Sequence, residues 1–305
     1  MPVPASRLKI AIAYFLIYVV WGSTYFFIGL CLHDFPPFVL GAIRFSVAGA
    51  AMLAICKLHG ERLFKRGLII KSAVSGIVLL FIDQAVIMFA QRFVSSSLVA
   101  IMASSTTLWI MLLDIPMWKQ NFKSPATVIG ILLGFIGVSL LYLEQLYNEK
   151  PNGSHHEYGM LLLIGGCISW ACGTLYSKYK TATEESTDGL AGAAWQMLGA
   201  SVMFSICAGM TGDFRNIQLT SVSQYTWLSL AYLITFGSMM AYTAYIWLLK
   251  VRPATEVATH AYVNPVVAVI IGVGLGHEDV TLIQISGLAV ILLSIMLVNR
   301  RQNTE

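Results

Sequence analysis

The chain has 305 residues, of which 57% are hydrophobic and 11% charged, with a net charge of +4 and a mean hydropathy of +0.74. That composition leaves too much apolar surface for water and excludes a soluble all-α domain, because stretches such as 73–90 and 281–298 lack polar faces. Apolar runs of about 20 residues recur throughout, so the solvent is a bilayer and no room remains for a soluble catalytic domain.

Ten spans are predicted, at about 10–30, 37–56, 68–89, 95–115, 125–143, 159–177, 189–209, 223–247, 254–275 and 281–298. The first runs past Tyr14 to Leu30 without a short apolar region and cleavage site, so it reads as a retained helix and not a signal peptide. It places Trp21 near mid-bilayer, away from the interfacial belt usual for tryptophan, with Tyr25 one turn further out. Together with Trp170 of the sixth span they wall a cavity for an apolar or aromatic substrate, or else fill bundle volume.

Arg44 in the second span and Asp83 in the third are ionisable groups at membrane depth. A charge there costs about 2.5 to 3.5 kcal/mol on insertion scales, so each needs a partner or a wet cavity. Both lie roughly 9 to 10 Å below the outer face, counting 1.5 Å per residue. The expectation is an Arg44–Asp83 pair at the cavity wall that offers Arg44 to a substrate carboxylate, against a structural ion pair or a protonated Asp83 facing helix neighbours.

In the fourth span Ser97, Ser104, Thr107 and Asp114 fall on roughly one side, as cavity-lining hydroxyls or as small residues that let helices pack closely, with Asp114 interfacial before Pro116. The stretch 144–158, with Asn148, Pro151, Asn152 and Gly153, reads as a linker, and His155 and His156 within it as a solvated pair. Gln196 in the seventh span is the polar counterpart of Arg44, for the cavity or for an interhelical hydrogen bond. The ninth span carries Glu256, His260 and Asn264 four residues apart on one face, with Tyr262 beside them and Pro265 unable to donate an N–H. Asn264 and Tyr262 are candidate ligand contacts at a bent helix, and Asp83, His260 and Glu256 are candidates for proton coupling. The alternatives are a packed kink, a neutral interhelical His260 and a headgroup-level Glu256.

The pattern occurs twice. Features around Trp21, Arg44 and the run 95–115 recur about 150 to 160 residues later around Trp170, Gln196 and 254–274, and 250–265 lies without gaps on 91–106. Five helices per half force the halves 1–143 and 159–305 into inverted orientations about a central site. The lysines and arginines agree: most of the 19 fall on the side of the N-terminus, with Arg92, Lys150 and Arg215 opposite, which puts both termini in the cytoplasm. This basic surplus flanks spans and forms no nucleic-acid patch.

Trp21-Gly-Ser-Thr-Tyr25, Phe35-Pro-Pro-Phe38, Arg44-Phe45, Ala258-Thr-His-Ala-Tyr-Val-Asn-Pro265 and Gly276-His-Glu-Asp279 together resemble the EamA branch of the drug/metabolite transporter superfamily, over nearly the whole chain. The resemblance implies ten helices in two inverted halves around a central cavity, moving small metabolites, amino acids or drugs, commonly outward. Thr106 stands where the fourth helix of that family often has proline, and Lys119 where many members have a loop glutamate.

Other classes lack their chemistry. The sequence has no Walker-type phosphate loop, no H-E-x-x-H and no protease-like aspartate pair, and Cys31, Cys56, Cys167, Cys172 and Cys207 show no metal spacing and read as packing residues. No cofactor, metal or nucleic acid is expected. One buried cation disfavours phosphorylated cargo. The expected function is a plasma-membrane secondary transporter, an exporter of amino acids or related metabolites working by alternating access, for which a monomer suffices. A broad drug-efflux carrier is the alternative, and a channel or receptor a more distant one.

Overall fold

A computed structural model describes residues 6–60, 63–122, 125–147, 156–181, 189–215, 217, 219–252 and 254–299. Most of the predicted linker, together with His155 and Lys150, lies outside the described residues, as do Arg62, Lys123, Arg300 and Arg301. The described chain is helical. Eight helices are long and apolar enough to cross a membrane: α1 Arg7–Cys31, α2 Pro37–Leu58, α3 Arg66–Ala90, α4 Ser96–Leu113, α5 Pro125–Glu144, α6 Tyr158–Tyr179, α7 Leu190–Thr211 and α8 Gln224–Val251. Two shorter apolar helices follow, α9 His260–Gly276 and α10 Leu282–Leu297.

The helix ends follow their sequences. Pro37 opens α2 with a preset φ and no N–H to leave unsatisfied, and Ser95 and Ser223 cap α4 and α8 by accepting from the amides of Leu98 and Thr226. The ninth span was expected to begin at 254. Instead a short turn, Ala254–Val257, precedes α9, and the amides of Ala261 and Tyr262 reach only three residues back, to Ala258 and Thr259. The Pro265 ring crowds the carbonyl of Ala261, and the tightened turn lies just before that point, so Pro265 itself sits inside the helix.

Four helices widen locally into π-turns: 16–20 in α1, 77–82 in α3, 177–181 at the end of α6 and 233–241 in α8. A π-turn shifts the side chains that follow it around the helix and leaves carbonyls without their usual partner. In hydrocarbon such carbonyls must be satisfied by other protein groups.

Lengthwise, α2 packs on α7 and α5 on α10, while α3 crosses α7 and lies along α6, and α1 contacts α8 and α9. The α3–α7 crossing is close because Gly76 has no side chain: a Cβ there would stand 2.0 Å from the backbone oxygen of Gln196. None of the five cysteines forms a disulfide, and Cys31, Cys56 and Cys167 are buried.

The connection between α1 and α2 is tied to the start of α8. Asp34 accepts from the Ser223 amide at 3.0 Å and from the Thr226 hydroxyl at 2.5 Å. These two bonds, the Thr226 hydroxyl first, hold its carboxyl below the usual carboxylate range. A depressed pKa contributes stability that is present above the unfolded value, about 3.9, and is lost as pH falls through the folded one. Protection of the first-turn amides of α8 against hydrogen exchange, taken relative to the intrinsic rate at each pH, should therefore fall below about pH 4, whereas Asp34→Asn should be less protected already at pH 7 and show no further acid step.

Candidate substrate cavity

The polar residues at membrane depth converge. Arg44 is 4% exposed and Asp83 7%, and both line an internal cavity of about 80 Å³ bounded by α1, α2, α3, α4, α6, α8 and α9. Trp21, Tyr25, Trp170, His260 and Asn264 line it too.

Arg44 and Asp83 do not pair directly. Gln84 stands between them: Arg44 Nη1 donates to Gln84 Oε1 at 3.0 Å, and Gln84 Nε2 donates to Asp83 Oδ2 at 3.0 Å. The amide fills the span because the π-turn at 77–82 brings both Asp83 and Gln84 to the cavity side of α3. Arg44 Nε donates to Ser238 Oγ at 2.8 Å, and the guanidinium lies 5.0 Å from the centre of the Phe45 ring. Gly237 packs closely beside it: a Cβ there would stand 3.0 Å from Thr24 Cγ2 and 3.3 Å from Arg44 Nη2. The result is a cation and an acid at opposite ends of one amide, with Nη2 left for a further acceptor.

The apolar wall centres on Trp21. Its ring meets Trp170 edge-on at 5.6 Å, Tyr245 at 5.1 Å and His260 at 5.4 Å between centroids. Its Nε1 donates to the carbonyl of Gly237, inside the α8 π-turn, at 3.1 Å. Asn264 serves the α1 π-turn in the same way. Its amide nitrogen donates to the carbonyls of Ile17 and Tyr18 at 2.9 and 2.8 Å, and its oxygen accepts from His260 Nδ1 at 3.2 Å.

The remaining candidates sit elsewhere. Gln196 lies behind the wall, accepting from the Tyr242 hydroxyl at 2.9 Å and donating to Ser75 at 3.0 Å. Tyr262 is half-buried against the core and is not among the cavity-lining residues. Glu256 does not reach His260: it accepts from Tyr14 at 2.9 Å and pairs with Arg252 at 3.7 Å. Of the α4 stripe, Ser97 points to Glu278, Ser104 bonds back to the carbonyl of Ile101, and Ala103 and Thr106 face the cavity instead. Asp114, just past the end of α4, is 4% exposed and accepts from Tyr179 at 2.6 Å and Lys178 at 3.5 Å.

Both ends of the bundle are latched. On the side away from the N-terminus the Glu278 carboxylate takes four bonds from the first turn of α4: the amides of Ser96 and Ser97 at 3.1 and 3.0 Å, and their hydroxyls at 2.5 Å each. On the N-terminal side Tyr14 holds Glu256, and Tyr18 bonds Thr259 at 2.7 Å. Gln84, Ser238, Tyr245 and Glu278 were absent from the sequence-derived site. An amide adjoining an acid in an apolar span was the available signal for Gln84; π-turns have no sequence signature that would have shown Ser238.

The EamA-like transporter family model matches residues 8–143 and again 157–300. The chain belongs to the EamA-like transporter family. It is 32% identical over 292 residues, 94% of this chain and 89% of the other, to an uncharacterized inner membrane transporter, YedA, of Escherichia coli (strain K12). It is 25% identical over 282 residues, 91% and 90% of the two chains, to a probable amino-acid metabolite efflux pump of Salmonella typhimurium. A solved crystal structure covers 97% of this chain and 99% of its own with a TM-score of 0.67 at 18% identity, a likeness of fold. The protein is thus a multi-pass membrane transporter, and family and relatives alike speak for transport and not for enzymatic turnover.

Trp21→Phe keeps the ring cluster and removes the donor to Gly237. Leaving that carbonyl unsatisfied should cost about 1 kcal/mol, seen as a lower unfolding midpoint of the purified protein; an unchanged midpoint would mean that water replaces the indole.

Proposed function

We propose that the protein exports amino acids or closely related metabolites by alternating access. The observation that carries this reading is the Arg44–Gln84–Asp83 array under an aromatic wall: Nη2 of Arg44 suits a carboxylate, Asp83 suits an ammonium group, and the indoles of Trp21 and Trp170 suit an apolar side chain. The similarity to the Salmonella protein named as a probable amino-acid metabolite efflux pump supports the cargo and the direction. In this reading α9 and α10 also cross the membrane, both termini are cytoplasmic in the inner membrane, and the halves are inverted, which the double family match and the pairings α2–α7 and α5–α10 support. A linker at 144–158 joins them.

The cavity is far smaller than the roughly 300 to 1,000 Å³ of ordinary ligand sites, so loading requires a latch to open. Glu278 is the latch on one face, and Tyr14 with Glu256 on the other. Asp83 is the proposed proton-coupling group, since it alone of the described acids touches the cavity and can trade its Gln84 bond for a proton or an ammonium. His260 is committed to Asn264 and Glu256 to Tyr14 and Arg252, which leaves them structural parts of α9 and its approach.

Counterflow in proteoliposomes with a panel of amino acids, amines and neutral drugs tests the reading. Arg44→Ala should reduce exchange of carboxylate-bearing substrates at least about a hundredfold while the protein still folds, as expected for loss of a buried charge-assisted pair. Asp83→Asn should abolish dependence on a pH gradient and leave exchange measurable but slowed for substrates that carry an ammonium group. Exchange of neutral drugs alone would move the assignment to drug efflux, and ungated leak to a channel.

Glu278→Gln gives up the charge in four hydrogen bonds. In a cysteine-free background with Ala103→Cys, it should raise labelling from the Glu278 face at least about tenfold and leave labelling from the other face unchanged. Equal rates with and without the substitution would remove Glu278 as a gate.

A further inference from the structure

A second recess opens outside the bundle, on the side that carries the N-terminus. It is a groove of about 740 Å³ between α1, the end of α2, the start of α7 and α8, and it shares no lining residue with the central cavity. Its walls are almost wholly apolar, with Leu16, Met240 and Trp247 among them, and among the described residues the two charged ones that line it, Lys9 and Lys250, are both cations.

The groove has the dimensions of one membrane leaflet. Along α8 it runs from Lys250 to Met239, eleven residues or about 16 Å at 1.5 Å per residue. Half of a hydrocarbon core of about 30 Å is about 15 Å. The lysines therefore stand at headgroup height and the apolar trough reaches the bilayer middle, the layout of an amphiphile with an anionic head and long chains.

We propose that this groove seats one anionic diacyl phospholipid from the leaflet on the N-terminal side. Its head lies between Lys9 and Lys250, and an acyl chain lies against Leu16, Met240 and Trp247. Charge complementarity selects the head, and the concavity formed by four helices holds the chain. The groove floor also belongs to the α8 π-turn, 233–241: Met239 and Met240 line the groove, whereas Gly237 and Ser238 of the same turn bond Trp21 and Arg44 in the cavity. A bound chain thus buttresses the backbone that positions the cavity's cation. The binding claim stands on the fold and does not depend on which cargo is carried.

Trp247 supplies the probe. Purified full-length protein in detergent is titrated with phosphatidylglycerol carrying brominated acyl chains, then with the equivalent brominated phosphatidylcholine, and Trp247→Phe isolates the quenching that belongs to the groove. Saturable quenching by phosphatidylglycerol, with phosphatidylcholine at least about tenfold weaker, is expected. Lys9→Gln with Lys250→Gln, both exposed positions, should weaken phosphatidylglycerol about 25-fold, about fivefold per lysine, while an unchanged unfolding midpoint reports an intact fold. Equal quenching by the two headgroups, an affinity unaffected by the double substitution, or a Trp247 component that never saturates would each overturn the seat. A brominated fatty acid binding as tightly as phosphatidylglycerol would overturn its assignment to a phospholipid.

Discussion

In hydrocarbon every backbone carbonyl must find a donor within the protein, and the architecture follows from how this chain meets that demand at its π-turns. A widened turn frees carbonyls, and at three of the four, 16–20, 77–82 and 233–241, a side chain from the other matched stretch claims them. Trp21 of the first stretch takes Gly237 in the second, while Ser169 takes Val78 at 2.9 Å and Asn264 takes Ile17 and Tyr18 in the first. Broken helical hydrogen bonds thereby become stitches between the two stretches. The same turns aim Asp83, Gln84 and Ser238 inward, so the distortion that must be repaired is also the distortion that builds the polar cavity.

The cavity is balanced by geometry and not by a contact ion pair. An Arg44–Asp83 bridge would neutralise both groups and leave little for a third party. Gln84 instead satisfies one donor of Arg44 and one acceptor of Asp83, Ser238 takes the Nε donor, and Nη2 is left for a further acceptor. A dipole of that kind tolerates an ionic guest, because the guest replaces an amide contact and not a buried salt bridge. The aromatic cluster beside it contributes shape and excludes water.

Composition and apolar periodicity carried the fold: the span boundaries predicted for α1 to α8 lie within a few residues of the helices, and buried Arg44 and Asp83 stood out because charge at that depth demands a reason. Trp21 and Trp170, recognised as counterparts in the duplicated pattern, stand 5.6 Å apart. What failed were inferences that assumed regular helices. Four-residue spacing put Glu256 on a face with His260, but the chain between them is a tightened turn and Glu256 turns to Tyr14. Gln196, aligned with Arg44, lies one layer back, where Tyr242 intercepts it. Departures from 3.6 residues per turn arise from packing across the bundle, and a single helix's sequence does not record them.

The glycine at the α3–α7 crossing has a mechanical meaning. Gly76 and Asp83 are seven residues apart on one helix, about 10 Å at 1.5 Å per residue, and the crossing at Gly76 is so tight that backbone rests on backbone. A contact without side chains has no interlocking ridges to resist rolling, so it is a fulcrum and the segment beyond it a lever arm. Tilting α3 by about ten degrees over that pivot carries the acid roughly 2 Å sideways, enough to exchange one hydrogen-bond partner for another while the rest of the helix pair stays in contact. Any side chain at position 76 would convert the bearing into a wedge and fix the acid in one place.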